Sequence, residues 1–104
     1  MTIQFNTDKN IIGNEKLETY INSTIADELD RFSEHITRIE VHLSDENSSK
    51  PGQNDKRCML EARLENRKPI AVTNDAGTVE EAVSGALDKL KASLKTIFGK
   101  LQNH

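Results

Sequence analysis

At Val79 the apolar residues of this chain change their spacing, and that change constrains the fold more than any other feature. Upstream, Ile39, Val41 and Leu43, then Cys58, Leu60, Ala62 and Leu64, then Ile70 and Val72 recur at every second position. Successive strand side chains point to opposite faces, so this spacing predicts strands with one face against a core. From Val79 the apolar positions become Val79, Val83, Ala86, Leu87, Leu90, Leu94, Ile97 and Leu101, the stripe of an amphipathic helix. A meander of strands with a helix across it buries one sheet face and leaves the other bare.

The remaining segments complete the order. Ile3 and Phe5 alternate with Thr2, Gln4 and Asn6 and predict a short first strand. Asn14 is placed to cap a helix whose stripe is Leu17, Ile21, Ile25, Leu29 and Phe32, running to about Ser33. Glu15 and Glu18 suit the positive end of its dipole. The second strand is predicted over about Thr37 to Ser44, the third over Lys56 to Glu65 and the fourth over Pro69 to Asn74. Residues Asp45 to Asp55, polar and containing Pro51-Gly52, predict an exposed loop. Asn66-Arg67-Lys68 is the next turn. Thr78, followed three residues later by Glu81, is a capping box that starts the last helix. A helix joining two neighbouring strands makes a right-handed crossover, so strands one and two should be parallel. The expected fold is an α+β, two-layer β-α-β-β-β-α sandwich: a four-stranded sheet with both helices on one face. Arg38, Glu40, His42, Met59, Glu61, Arg63 and Glu65 fall on the opposite face, where alternating signs predict cross-strand charge pairs.

A length of 104 residues suits a single domain spanning residues 1–104. No run approaches the roughly 18 apolar residues of a membrane span. The opening MTIQFNTDKN lacks the basic start and apolar block of a signal peptide, so a cytoplasmic location with no membrane association is expected. Cys58, the one cysteine, is in phase with Leu60 and Ala62 and predicts a buried, inert thiol.

Catalytic chemistry has no constellation to rest on. His35, His42 and His104 make no ligand spacing with one another or with Cys58, so no metal or other cofactor is expected. Gly77 and Gly85 belong to no phosphate-binding loop. No serine sits in a nucleophile elbow, and the chain reads as a non-enzyme.

What is left is charge. Residues 1–55 hold eleven acids and five bases, whereas residues 56–104 hold six acids and nine bases. Such asymmetry can orient a molecule on a polyanion. The candidate RNA-binding residues are Lys89, Lys95 and Lys100, with Lys91, Lys56, Arg57, Arg67 and Lys68 as auxiliaries. On a helix, Lys89 and Lys100 fall on one flank of the apolar stripe and Lys91 and Lys95 on the other. Lysines also border such stripes simply to cover apolar surface with their stems, so the pattern alone leaves both roles open. Phe5, Phe32 and Phe98 fit core positions, which leaves no aromatic platform for stacking bases, so any RNA would be held by its backbone and shape.

The element order, together with IEVHLSDEN, KRCMLEARL, KPIAV and TVEEAVSGALDKLKASL, resembles the ribosome hibernation-promoting factors. These are also called ribosome-associated inhibitors or sigma-factor modulation proteins. The resemblance spans nearly the whole chain and is most specific in the Ala-x3-Ala-x-Asp-Lys-Leu run from Ala82 to Leu90. It implies a fold similar to double-stranded-RNA-binding domains. It also implies a function: seating in the decoding region of the small ribosomal subunit and blocking messenger and transfer RNA under stress or in stationary phase. Lys89 matches a basic position of the family's second helix, and Lys95 and Lys100 fall where members tend to be basic. Ala92, Ile97 and Phe98 stand where basic residues are frequent, and the first helix is acidic, with Glu15, Glu18, Asp27, Glu28, Asp30 and Glu34. With the chain ending at His104, the resemblance is to the short form.

Two functions follow. The first is a ribosome-associated translation regulator whose partner is ribosomal RNA of the small subunit. The second is a protein-interaction module of the same fold, for example a homodimer through Ile97, Phe98 and Leu101.

Overall fold

The computed structural model describes residues 1–7, 15–45 and 55–102. Its elements are β1 (Thr2–Thr7), α1 (Glu15–Glu28), a 3-10 turn (Asp30–Phe32), β2 (Ile36–Asp45), β3 (Lys56–Leu64), β4 (Ile70–Ala76) and α2 (Val79–Gln102). The strands form one sheet in the order β1-β2-β3-β4. The β1–β2 pair is parallel and the other two pairs are antiparallel, as the crossover requires. The expected order β-α-β-β-β-α and the α+β class are therefore the observed ones. Asn14 and most of the predicted loop lie outside the described residues, although Asp45 closes β2 opposite Lys56.

One core joins the layers. Ile39, Val41, Leu43, Cys58, Leu60, Ala62 and Leu64 on the sheet pack with Ile21 and Ile25 of α1 and with Ala82, Val83, Ala86, Leu87, Leu90, Leu94 and Phe98 of α2. Both helices thus cover the same face. Complete burial of each large aliphatic side chain contributes about 1.5–3 kcal/mol, so the two periodic stripes suffice to fix this arrangement.

Three local features depart from the sequence expectation. The first helix does not continue evenly to Ser33. Leu29 turns to φ −103° and ψ 8°, and the chain tightens so that the Phe32 amide donates to Leu29 O at 2.9 Å. In a 3-10 turn residues three apart eclipse, which lets Leu29 and Phe32 enter the core together. Next, Ile36 faces Leu64 whereas Arg38 faces Arg63, so β2 carries one extra residue at Thr37. That bulge resets the alternation and buries both Ile36 and Ile39, three positions apart. Finally, β4 runs two residues past Asn74, because Asp75 and Ala76 still pair with Arg57 and Lys56.

Asn74 shares a sheet face with Val72 and Ala76 and so points toward α2. Its Nδ2 donates to the carbonyls of Glu81 and Ala82 at 3.4 and 3.3 Å. Gly85 makes room for it, since a Cβ there would lie 2.2 Å from Asn74 Nδ2. One turn earlier the capping box is in place. The Glu81 amide donates to Thr78 Oγ1 at 3.1 Å, and the Thr78 hydroxyl donates to Glu81 Oε1 at 3.1 Å.

The far end of α2 is tied down by rings. Phe98 stacks on His35 with centroids 4.2 Å apart and planes 6° apart, and the Arg67 guanidinium carbon lies 5.4 Å from the Phe98 centroid. Phe98 is 3% exposed and Ile97 is partly buried against the core, so these two residues pack on the chain's own fold. The Leu101 side chain lies outside the described residues.

Candidate nucleic-acid interface

Two strands and two helix flanks position the basic side chains, and they do so very unequally. Arg57 sits opposite Asp75 across the β3–β4 pair. Its Nε and Nη2 reach the two carboxylate oxygens at 2.8 and 3.3 Å, a fork that meets both. The Arg57 hydrogen bond, against a smaller upward push from burial, holds the Asp75 carboxyl below its usual value of 3.8, helped by the charges of Arg57 and Lys89. Lys56 Nζ lies 3.4 Å from Asp45 Oδ2 and 3.3 Å from Asp55 Oδ1. The hydrogen bond to Asp55, then that to Asp45, raises the Lys56 pKa above 10.5 despite desolvation. These two auxiliaries are matched by carboxylates.

On α2 the flanks differ. Lys91 hydrogen-bonds Glu28 of α1 and lies 3.9 Å from Asp88. The Glu28 bond is the main cause of its raised pKa. Lys89 reaches the other way, donating from Nζ to the Thr73 carbonyl of edge strand β4 at 2.6 Å. A lysine over a strand edge also covers an acceptor that could template another strand. Lys95 is exposed and makes no ion pair among the described residues. Lys100 is part of α2, and its side chain lies outside the described residues.

The β3–β4 turn supplies the rest. Asn66 takes the left-handed conformation the turn needs, at φ 60°, which asparagine tolerates better than most residues. Arg67 and Lys68 follow, both exposed and without a carboxylate partner among the described residues. Because Arg67 lies over Phe98, the turn stands beside the last part of α2, one helical turn from Lys95. Arg67, Lys68 and Lys95 therefore share one end of the molecule. Lys56 and Arg57 occupy the opposite end of β3 and do not join them.

The open sheet face carries charge pairs, but only in part across strands. The register sets Arg38 level with Arg63 and Glu40 level with Glu61, so two of the Glu40 contacts run along β2 and the one with Arg63 crosses to β3. Arg38 Nη2 donates to Glu40 Oε2 at 2.8 Å, Arg63 Nε lies 3.5 Å from the same oxygen, and His42 Nε2 lies 3.5 Å from Glu40 Oε1. Burial pushes the Glu40 carboxyl up. The Arg38 hydrogen bond and the charges of Arg38, Arg63 and His42 outweigh it and hold the group below 4.5. Sequence reasoning did not single out Arg38 and Arg63 as binding residues. Their juxtaposition depends on the bulge at Thr37, which leaves no mark in the spacing of apolar residues.

Among the described residues no group of three or more His, Cys, Asp or Glu side chains could hold a metal ion, and no helix is long and apolar enough to cross a membrane. Cys58 is free and buried, and burial pushes its thiol up to about 12.

A family model described as sigma 54 modulation protein / S30EA ribosomal protein matches residues 5–102. Among solved structures, the fold is similar to the N-terminal domain of Protein Y from Thermus thermophilus, with a TM-score of 0.75 and 20% identity over 93% of this chain and 99% of that one. It is also similar to a ribosomal subunit interface protein from Coxiella burnetii, with a TM-score of 0.72 and 16% identity over 95% of this chain and 99% of that one. No curated protein sequence matches the chain.

Proposed function

The chain belongs to the sigma 54 modulation protein / S30EA ribosomal protein family, and from that premise we propose that it is a ribosome-associated regulator of translation, acting by occupancy rather than by bond-breaking. It binds ribosomal RNA of the small subunit in the cytoplasm and fills the decoding channel during stress or stationary phase. The domain is small and tightly cored, and it groups Arg67, Lys68 and Lys95 at one end, so it enters the channel with that end against the RNA.

The observation that carries this reading is the grouping of Arg67, Lys68 and Lys95 beside the end of α2, with no carboxylate partner among the described residues. Lys89 adds a charge by exchanging the Thr73 carbonyl for a phosphate oxygen, and Lys100 extends the same helix. Lys91, Lys56 and Arg57 contribute less, because a phosphate would have to displace carboxylates already bound to them.

Sedimentation with purified small subunits across a salt series tests the proposal. Wild type should pellet at low salt and be released as salt rises. Lys89→Glu/Lys95→Glu should pellet poorly, and Arg67→Glu/Lys68→Glu/Lys95→Glu should not pellet at all. Failure of the wild-type protein to pellet even at low salt would overturn it.

A further inference from the structure

The sheet face turned away from the helices holds a depression of about 500 Å3, lined by Thr2, Gln4, Thr37, Arg38 and Arg63. Strand register builds it. Thr2 is level with Arg38 across β1–β2, and Arg38 is level with Arg63 across β2–β3, so the three form one row. Gln4, two residues along β1, points to the same face. The extra residue at Thr37 brings the two arginines level. The Thr37 hydroxyl secures the bulge by donating to the Arg63 carbonyl at 3.1 Å.

The lining holds two guanidinium groups, two hydroxyls and one amide, and no carboxylate. Like charges placed level across two strands repel and require compensation. Glu40 and Glu61, in the next row, supply part of it: Glu40 Oε2 lies 2.8 Å from Arg38 Nη2 and 3.5 Å from Arg63 Nε, and Arg63 Nη2 is 3.4 Å from Glu61 Oε1. Arg38 Nε receives none. It is buried and has no hydrogen-bond partner. Guanidinium carries five donors in a fixed plane; the Arg38 side chain is 40% exposed but its Nε atom is covered, and a covered donor left without an acceptor is uncommon enough to need a reason.

We propose that this depression binds a phosphate group, with Arg38 and Arg63 as its anchors and Thr2 and Gln4 at its rim. Phosphate suits the lining better than a carboxylate. Its oxygens are arranged tetrahedrally and can take donors from two guanidinium planes at once, whereas a carboxylate offers two oxygens in one plane. The depression is open to solvent, so a phosphate carried on a larger molecule, a free nucleotide or an RNA backbone, can enter it. The site lies on the face opposite the α2 lysines and goes beyond the ribosome-binding reading. It can be tested with inorganic phosphate alone.

The test is a titration of the 15N-labelled full chain with inorganic phosphate, at fixed pH and with ionic strength held constant by chloride. Signals followed are the Arg38 and Arg63 Nε–Hε groups and the backbone amides of Thr37 to Ile39 and Ala62 to Leu64. A saturable shift confined to these signals is expected. It should be lost in Arg38→Lys, which keeps the charge but removes Nε, and weakened but retained in Arg63→Lys. No saturable shift, or a shift that chloride alone reproduces, overturns the proposal. Adenosine 5′-monophosphate and a short single-stranded RNA then distinguish the sources: saturation at lower nucleotide concentration identifies a free nucleotide, and at lower RNA concentration a backbone phosphate. Arg67→Glu/Lys68→Glu/Lys95→Glu should keep the phosphate response while losing small subunits, so failure of one proposal is distinguishable from failure of the other.

Discussion

Gly85→Ala should reverse the sign of its effect according to what occupies position 74. In an ordinary helix interior, alanine is more favourable than glycine by about 0.8–1.0 kcal/mol. Here the new Cβ would stand 2.2 Å from Asn74 Nδ2, 2.6 Å from its Cγ and 2.9 Å from its Oδ1, so the amide must leave. Leaving breaks its bonds to the Glu81 and Ala82 carbonyls, which at 3.4 and 3.3 Å are long. Each is worth about 0.5–1.5 kcal/mol, for a combined loss of about 1–3 kcal/mol. Set against the gain in helix propensity, Gly85→Ala in the wild-type background is neutral to destabilising by about 2 kcal/mol. In an Asn74→Ala background the obstruction is gone and the same substitution should stabilise by about 1 kcal/mol. Urea unfolding of the four proteins, followed by far-UV circular dichroism, closes the cycle and should give a coupling of about 1–3 kcal/mol. Equal stabilisation in both backgrounds would refute the close approach of α2 to β4. That approach matters for the candidate interface, because Lys89 reaches the Thr73 carbonyl from the next turn of the same helix.

Two further outcomes follow from the charged and titratable groups. Burial raises the Cys58 thiol from 9.0 to about 12, so at pH 8 its thiolate fraction falls about a thousandfold. A disulfide reagent should label it far more slowly in the native chain than in urea, because both the raised pKa and the complete burial oppose attack, and rapid native labelling would contradict its place in the core. Glu40 has a folded-state pKa below its usual 4.5, so its stabilising contribution is complete above pH 4.5 and is lost as pH falls through the lowered value. Glu40→Gln should therefore lower the urea midpoint at pH 7 and converge on wild type as the pH falls below the lowered pKa; a gap that persists in strong acid would show that the ionised carboxylate is not the source.

Much of the architecture could be read from the residues because it rests on local periodicity. Alternation from Ile39 to Val72 sets which strand face is buried, and the capping box at Thr78 marks the start of α2 to within a residue. What escaped depends on neighbours distant in sequence. Lys91 finds Glu28, sixty-three residues away, only because α1 and α2 pack on the same sheet face. Arg57 finds Asp75 only because β4 runs past Asn74, and Arg38 meets Arg63 only because Thr37 is bulged. Asn74 is the instructive case among polar residues. The sequence predicts that the strand ends at it, yet it is half-buried on the face toward α2, and a glycine eleven residues later makes room for its side chain.

Partnering of charges also alters how strongly binding should respond to salt. In sequence the basic half, residues 56–104, looks like a single cationic surface. In space its bases lie beside acids from both halves, since β2 and β3 are antiparallel neighbours and α1 packs beside α2. Asp45 takes Lys56, Asp75 takes Arg57 and Glu28 takes Lys91. Among the described residues Arg67, Lys68, Lys89 and Lys95 keep no direct carboxylate partner, with Lys100 a fifth candidate. Each neutralised phosphate adds about 0.7–0.9 to the slope of log K against log salt, so eight cations acting together would give about −6 to −7. Four or five give about −3 to −4.5. The salt series with small subunits should therefore yield the shallower slope, and Lys91→Gln should leave it unchanged. Lys95→Gln should reduce its magnitude by close to one contact. A slope near −7, or equal losses from Lys91→Gln and Lys95→Gln, would mean that the ribosome strips the carboxylates from their lysines, and that the pairing in the free protein does not govern which residues bind.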